Sequence, residues 1–117
     1  MSARLEGVGV GLVEVPRLER ALERFGARLE SRLFTAEERA YGNAAARPAQ
    51  RLAGRLAAKL ALRDALGPPA PAFSQVEVLR DAQGAPSLRW SAGPDIAARV
   101  SMTHESQLAV ATVWLES

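Results

Sequence analysis

The stretch from Arg51 to Gly67 constrains the fold more than any other part of the chain. Leu52, Leu56 and Leu60 stand four apart, with Ala53, Ala57, Ala61 and Ala65 beside them. That spacing makes an apolar stripe of low relief, suited to a helix packed closely against a sheet. Pro48 fits a first helical turn, Gly67 fits a C-terminal stop, and Pro68 and Pro69 forbid continuation. One residue breaks the usage of the whole chain: Lys59 is the only lysine among 15 basic residues, all the others being arginine. A lone lysine on a core helix points to a use for its compact ammonium, with a solvated lysine as the plainer alternative.

The rest of the chain supplies what that helix packs on. Leu5 to Val15 reads as a strand with Val8, Val10 and Leu12 on one face and Gly7, Gly9 and Gly11 on the other. A glycine face means a close approach, either of packed backbone or of a ligand. It is not a dinucleotide fingerprint, because Leu12 stands where the third spacing would need glycine and no helix opens there. Pro16 starts a helix with Leu18, Ala21, Leu22 and Phe25 on its apolar side, broken at Gly26 and resumed through Leu29 and Leu33. Thr35 and Glu38 form a capping box for a brief helix from Ala36 that ends before Gly42 and Asn43. Beyond the long helix, Phe73–Leu79 and Ser87–Trp90 form a hairpin around the turn Asp81–Pro86, Pro94–Arg99 reads as one or two helical turns, and Val100–Thr103 and Leu108–Leu115 are final strands. Helices first and hairpins after make an α+β fold with a largely antiparallel sheet and one long core helix.

Composition narrows the function classes. A chain of 117 residues is read as a single domain, 1–117. No long apolar run or basic leader is present, so a cytoplasmic protein without a membrane span is expected. The absence of cysteine excludes disulfides and thiolate chemistry, and a single histidine excludes a multi-histidine metal site. The net charge is only +2, with basic residues spread among acids and no basic block, which argues against nucleic acid and fits an acidic protein partner or a phosphate-rich ligand. Arg17, Arg20, Arg24 and Arg28, three or four apart, offer such a partner a helix face.

Four separated pieces, in order, resemble the holo-acyl-carrier-protein synthase family, the small 4'-phosphopantetheinyl transferases. Gly7 to Arg17 is similar to the family's G-x-G-x-D-x-V-x-x-x-R motif. Arg55 to Ala61, closing at Ala65-Leu66-Gly67, is similar to its helix motif R-F-A-x-K-E-A…K-A-x-G. Gly84-Ala85-Pro86 stands at its G-K-P turn, and Val100 to Glu105 resembles its terminal strand with histidine. The resemblance implies a transferase that moves the 4'-phosphopantetheine arm of coenzyme A onto a serine of an acyl carrier protein, in fatty acid or polyketide biosynthesis, with magnesium, as a homotrimer. It also implies site residues: Lys59 and His104 as catalytic candidates, and Arg55, Lys59, Gly84, Pro86 and His104 toward coenzyme A.

The departures from the motifs are specific. The family's metal-binding aspartate falls on Gly11 and its glutamate on Leu60, while two basic positions fall on Asp64 and Ala85. No metal ligand remains at the matched positions, and magnesium-dependent catalysis of the ordinary kind is thereby in question. Asp64, one turn beyond Leu60, and Glu14, three residues after Gly11, offer displaced carboxylates that would need a rearranged site. Three functions follow: a transferase working through displaced ligands, a non-catalytic carrier-binding or regulatory homologue, or an enzyme of a different, metal-free reaction on a carrier-bound substrate using Lys59 and His104.

Overall fold

The computed structural model describes residues 4–91 and 96–117. The chain runs through strand β1 (Leu5–Glu14), helices α1 (Val15–Leu33), α2 (Ala36–Asn43) and α3 (Pro48–Leu66), a 3-10 turn (Phe73–Gln75), and strands β2 (Val76–Arg80), β3 (Pro86–Trp90), β4 (Ala97–His104) and β5 (Leu108–Glu116). Two antiparallel sheets result, one in the order β1-β5-β4 and the other the β2-β3 hairpin. This is the α+β architecture, built around one long helix, that the alternation of helical and strand patterns predicts.

Helix α3 lies across the inner face of the three-stranded sheet. Ala53, Ala57, Ala58 and Ala61 are fully buried there, against Ala109, Ala111, Val113 and Leu115, the alternate residues of β5. The glycine face of β1 meets backbone. A Cβ on Gly9 would overlap the Ala61 carbonyl oxygen and lie 3.0 Å from Ala65 Cα, and one on Gly11 would overlap the Ala57 carbonyl oxygen and lie 2.8 Å from Ala61 N. Small residues on both sides let strand and helix approach to backbone contact, which larger side chains forbid. The opposite face of β1 carries Val8, Val10 and Leu12, each 55% exposed, and their β5 partners Trp114, Thr112 and Val110 continue it. Helix α3 stops at Gly67, whose φ of 67° is glycine territory.

Four local readings are corrected. Ala97–Arg99 extend β4, because Arg99 and Ala97 pair with Trp114 and Glu116 of β5; Pro94 and Asp95 lie outside the described residues. Phe73–Gln75 form a 3-10 turn, closed by the Gln75 side chain accepting from Ala72 N at 3.1 Å, so the strand begins only at Val76. Helix α2 runs through Gly42 and Asn43 to its end, Gly42 being buried beside Leu52. Phe25 is exposed, under the Arg24 guanidinium at 5.3 Å, because Gly26 kinks α1 with a φ of 62° and turns the helix before Phe25 reaches the core.

Candidate functional site

The lone lysine is the hub of the structure. Lys59 Nζ donates to Glu38 Oε1 at 2.6 Å, to the Leu33 carbonyl at 2.7 Å and to the Phe73 carbonyl at 2.9 Å, and its side chain is fully buried. Three acceptors use all three ammonium protons. Glu38 is equally occupied: Oε1 also accepts from Thr35 N at 2.9 Å, completing the capping box, and Oε2 accepts from Val78 N at 2.9 Å. One buried ion pair thus joins the end of α1, helix α2, helix α3 and strand β2. Burial pushes the Lys59 ammonium below its ordinary range, against the pull of the Glu38 carboxylate.

One helical turn earlier, Arg55 is 5% exposed and stacks its guanidinium on the Tyr41 ring, 3.8 Å from the centroid. Arg51 lies over the same ring at 4.4 Å. Burial lowers the Arg55 pKa, Tyr41 opposing and Arg80 adding to the shift. Its Nε has no hydrogen-bond partner, and it lines a hollow of about 220 Å³ with Tyr41, Glu37, Glu77 and Arg80. A buried cationic donor left unpartnered is costly, and a ligand anion would satisfy it. Arg80 reaches from this hollow to the β2-β3 turn, donating to the Gly84 carbonyl at 2.6 Å, while Asp81 Oδ1 accepts from Gln83 N and Ala85 N at 2.9 Å each. Arg55 and the Gly84–Pro86 turn are therefore linked through Arg80. Lys59 stands behind them in the wall.

His104 is elsewhere. It ends β4, exposed, with its ring against Gly54, where an added Cβ would come within 3.3 Å of His104 Cδ2. Gly54 precedes Arg55, so His104 occupies a neighbouring face of α3 and does not line the arginine hollow. A second, apolar hollow of about 340 Å³ opens between Leu12, the two halves of α1 at Leu18 and Leu29, and Leu56, with Glu14 and Arg17 at its edge. Glu14 is paired with Arg17 at 3.6 Å, and the Asp64 carboxylate accepts from Val10 N at 3.0 Å.

The 4'-phosphopantetheinyl transferase superfamily model matches residues 7–113. A holo-[acyl-carrier-protein] synthase of Anaeromyxobacter sp. (strain Fw109-5) is 45% identical over 122 residues, covering 94% of each chain. The chain belongs to the holo-acyl-carrier-protein synthase family. A second member, from Methylobacterium sp. (strain 4-46), is 39% identical over 109 residues, covering 89% of this chain and 81% of its own. Among solved structures, the synthase of Bacillus anthracis str. Ames in complex with CoA (3',5'-ADP) superposes with a TM-score of 0.82 at 32% identity, over 97% of both chains. That of Neisseria meningitidis gives 0.86 at 28% identity, over 97% of this chain and 100% of its own.

Magnesium, which the family resemblance implies, does not fit the residues present. The two matched positions are Gly11, pressed against α3 backbone, and Leu60, packed against the core. The displaced candidates are engaged apart, Glu14 with Arg17 and Asp64 with the Val10 amide. Among the described residues, no group of three or more histidines or carboxylates is arranged to hold an ion. Three residues of this holo-acyl-carrier-protein synthase homologue escape sequence reasoning: Glu38, Tyr41 and Arg80. Glu38 was visible only as a helix cap, although a lone lysine on a core helix demands a buried carboxylate as partner.

Proposed function

We propose that the chain binds coenzyme A and an acyl carrier protein and serves the transfer of 4'-phosphopantetheine between them. The observation that carries this reading is Arg55: a buried guanidinium, stacked on Tyr41, its Nε without a hydrogen-bond partner, on a residue that lines a hollow together with Arg80. Arg55 and Arg80 receive the phosphates of coenzyme A, and the Gly84–Pro86 turn flanks them. Lys59 is the support that fixes this wall and does not reach the ligand. In the transfer, the carrier serine oxygen bonds to the phosphorus that bears the pantetheine arm. The bond from that phosphorus to the bridging oxygen breaks, and 3',5'-adenosine diphosphate leaves. The serine proton passes to water, which relays it to His104, at the end of β4 on the neighbouring face of α3.

The carrier docks on α1, where Arg17, Arg20, Arg24 and Arg28 are all exposed and complement an acidic surface. The uncovered face of Val8, Val10, Leu12 and Trp114 suits association with copies of the chain as a homotrimer. No helix among the described residues is long and apolar enough to cross a membrane, in keeping with work on soluble substrates in the cytoplasm. The seam at Gly11 and Leu60 favours a second reading, a homologue that binds carrier protein without turnover.

Mass spectrometry of an acyl carrier protein incubated with the chain and coenzyme A separates the two. Arm-loaded carrier supports transfer, and carrier that binds but stays unmodified supports the second reading. Under the transfer reading, Arg55→Ala is expected to weaken coenzyme A by about tenfold or more in calorimetry, since a charge-assisted contact to phosphate is lost, whereas the second reading expects little coenzyme A affinity in the parent itself. Unchanged affinity in that variant contradicts the assignment of the hollow.

A further inference from the structure

We infer that the seam between β1 and α3 is sealed against a divalent cation, with Asp64 as the latch that holds it. Three observations converge on this. First, Gly9 and Gly11 lie against the backbone of α3 so closely that even a methyl group at Gly11 would overlap the Ala57 carbonyl oxygen. A carboxylate at that position needs a Cβ before it can reach a metal. Restoring an aspartate there therefore requires the helix to move off the strand. Second, Leu60 on α3 is an apolar side chain packed against the core. A hard cation such as magnesium takes oxygen ligands in a nearly regular octahedron, and neither residue offers one.

Third, Asp64 is tied to the seam itself. Among the described residues strand β1 pairs with β5 alone, so its other edge meets no described strand. On that edge the Val10 amide donates to Asp64 Oδ2 at 3.0 Å, joining the last turns of α3 to the middle of β1. A carboxylate accepting from a backbone amide forms one of the stronger classes of hydrogen bond. Asp64 thus spends its carboxylate on clamping the chain's own strand. Lifting α3 from Gly11 would pull Asp64 from Val10. The glycines, Leu60 and Asp64 thus act as a set, and the site takes its ligands without a metal between them.

The test combines amide exchange with manganese as a magnesium substitute. In the parent chain the Val10 amide is expected to exchange slowly for an edge position. Asp64→Ala is expected to accelerate it by about tenfold or more, and Asp64→Asn, which keeps an acceptor oxygen, to restore much of the protection. Unchanged Val10 exchange in Asp64→Ala would overturn the latch. Manganese added to the parent, and to Leu60→Glu alone, is expected to leave the Gly11 and residue-60 amide signals unbroadened. Gly11→Asp combined with Leu60→Glu is expected to fold poorly or to melt about 10 °C or more below the parent. The seal is refuted if the parent takes up manganese at Gly11, or if the double variant does so with an unchanged melting temperature.

Discussion

Replacing Lys59 with methionine is expected to cost about 3–5 kcal/mol of folding stability, the usual consequence of leaving one partner of a buried ion pair alone. The loss is not of one contact. Glu38 would remain buried without its cation, and the carbonyls of Leu33 and Phe73 would lose their donor, so three chain segments slacken together. Denaturant unfolding followed by circular dichroism measures it. A second variant sharpens the test. Glu38→Leu with Lys59→Met removes both charges and should recover part of the loss, but not all. The amides of Thr35 and Val78, which Glu38 accepts from, would then be unpaired. A loss below about 1 kcal/mol for Lys59→Met would place the ammonium in the class of exposed ion pairs and contradict its role as hub.

Gly9→Val is expected to be of the same order or worse. On intrinsic grounds valine belongs in a strand, and the change should gain up to about 1 kcal/mol. Packing decides the opposite sign. The new Cβ would overlap the Ala61 carbonyl and the Ala65 amide nitrogen, which are backbone atoms of a buried helix and cannot swing aside as a flexible side chain can. Overpacking against such atoms costs about 3 kcal/mol or more, and a thermal melt should show the protein unfolded or melting far below the parent. Val10→Thr, on the outer face of the same strand, serves as the control and should change little. Equal melting temperatures for the Gly9→Val and parent chains would mean that the helix stands off the strand.

The contrast between these two positions explains what the sequence made legible. Strand β1 and helix α3 were readable because their patterns are long and regular: alternate glycines and valines over Leu5–Glu14, and leucines and alanines at helical spacing over Pro48–Leu66. Their mutual fit was only half readable. A glycine face announces a close approach, and only the three-dimensional packing identifies the approaching group as the carbonyls of Ala57 and Ala61. Short segments were governed by distant partners instead. Ala97–Arg99 look helical by themselves but are held as strand by β5, and Phe73 turns so that its carbonyl meets Lys59. The same holds at the site. Lys59 was conspicuous as a lone lysine, yet its use depends on Glu38, 21 residues away, and on two carbonyls that no residue type encodes. Arg55 was legible as a candidate, but its stacking on Tyr41 and its link through Arg80 to Gly84 were not.

The most direct measurement is a calorimetric titration of coenzyme A into the purified chain with magnesium present and with it chelated. Binding through the Arg55 hollow, with the β1–α3 seam closed to metal, should give a micromolar dissociation constant that differs by less than about threefold between the two conditions, a change under 1 kcal/mol. Binding that appears only when magnesium is present would contradict a metal-free site and require the seam at Gly11 and Leu60 to open. Absence of binding in both conditions would contradict the assignment of Arg55 and Arg80 to the phosphates.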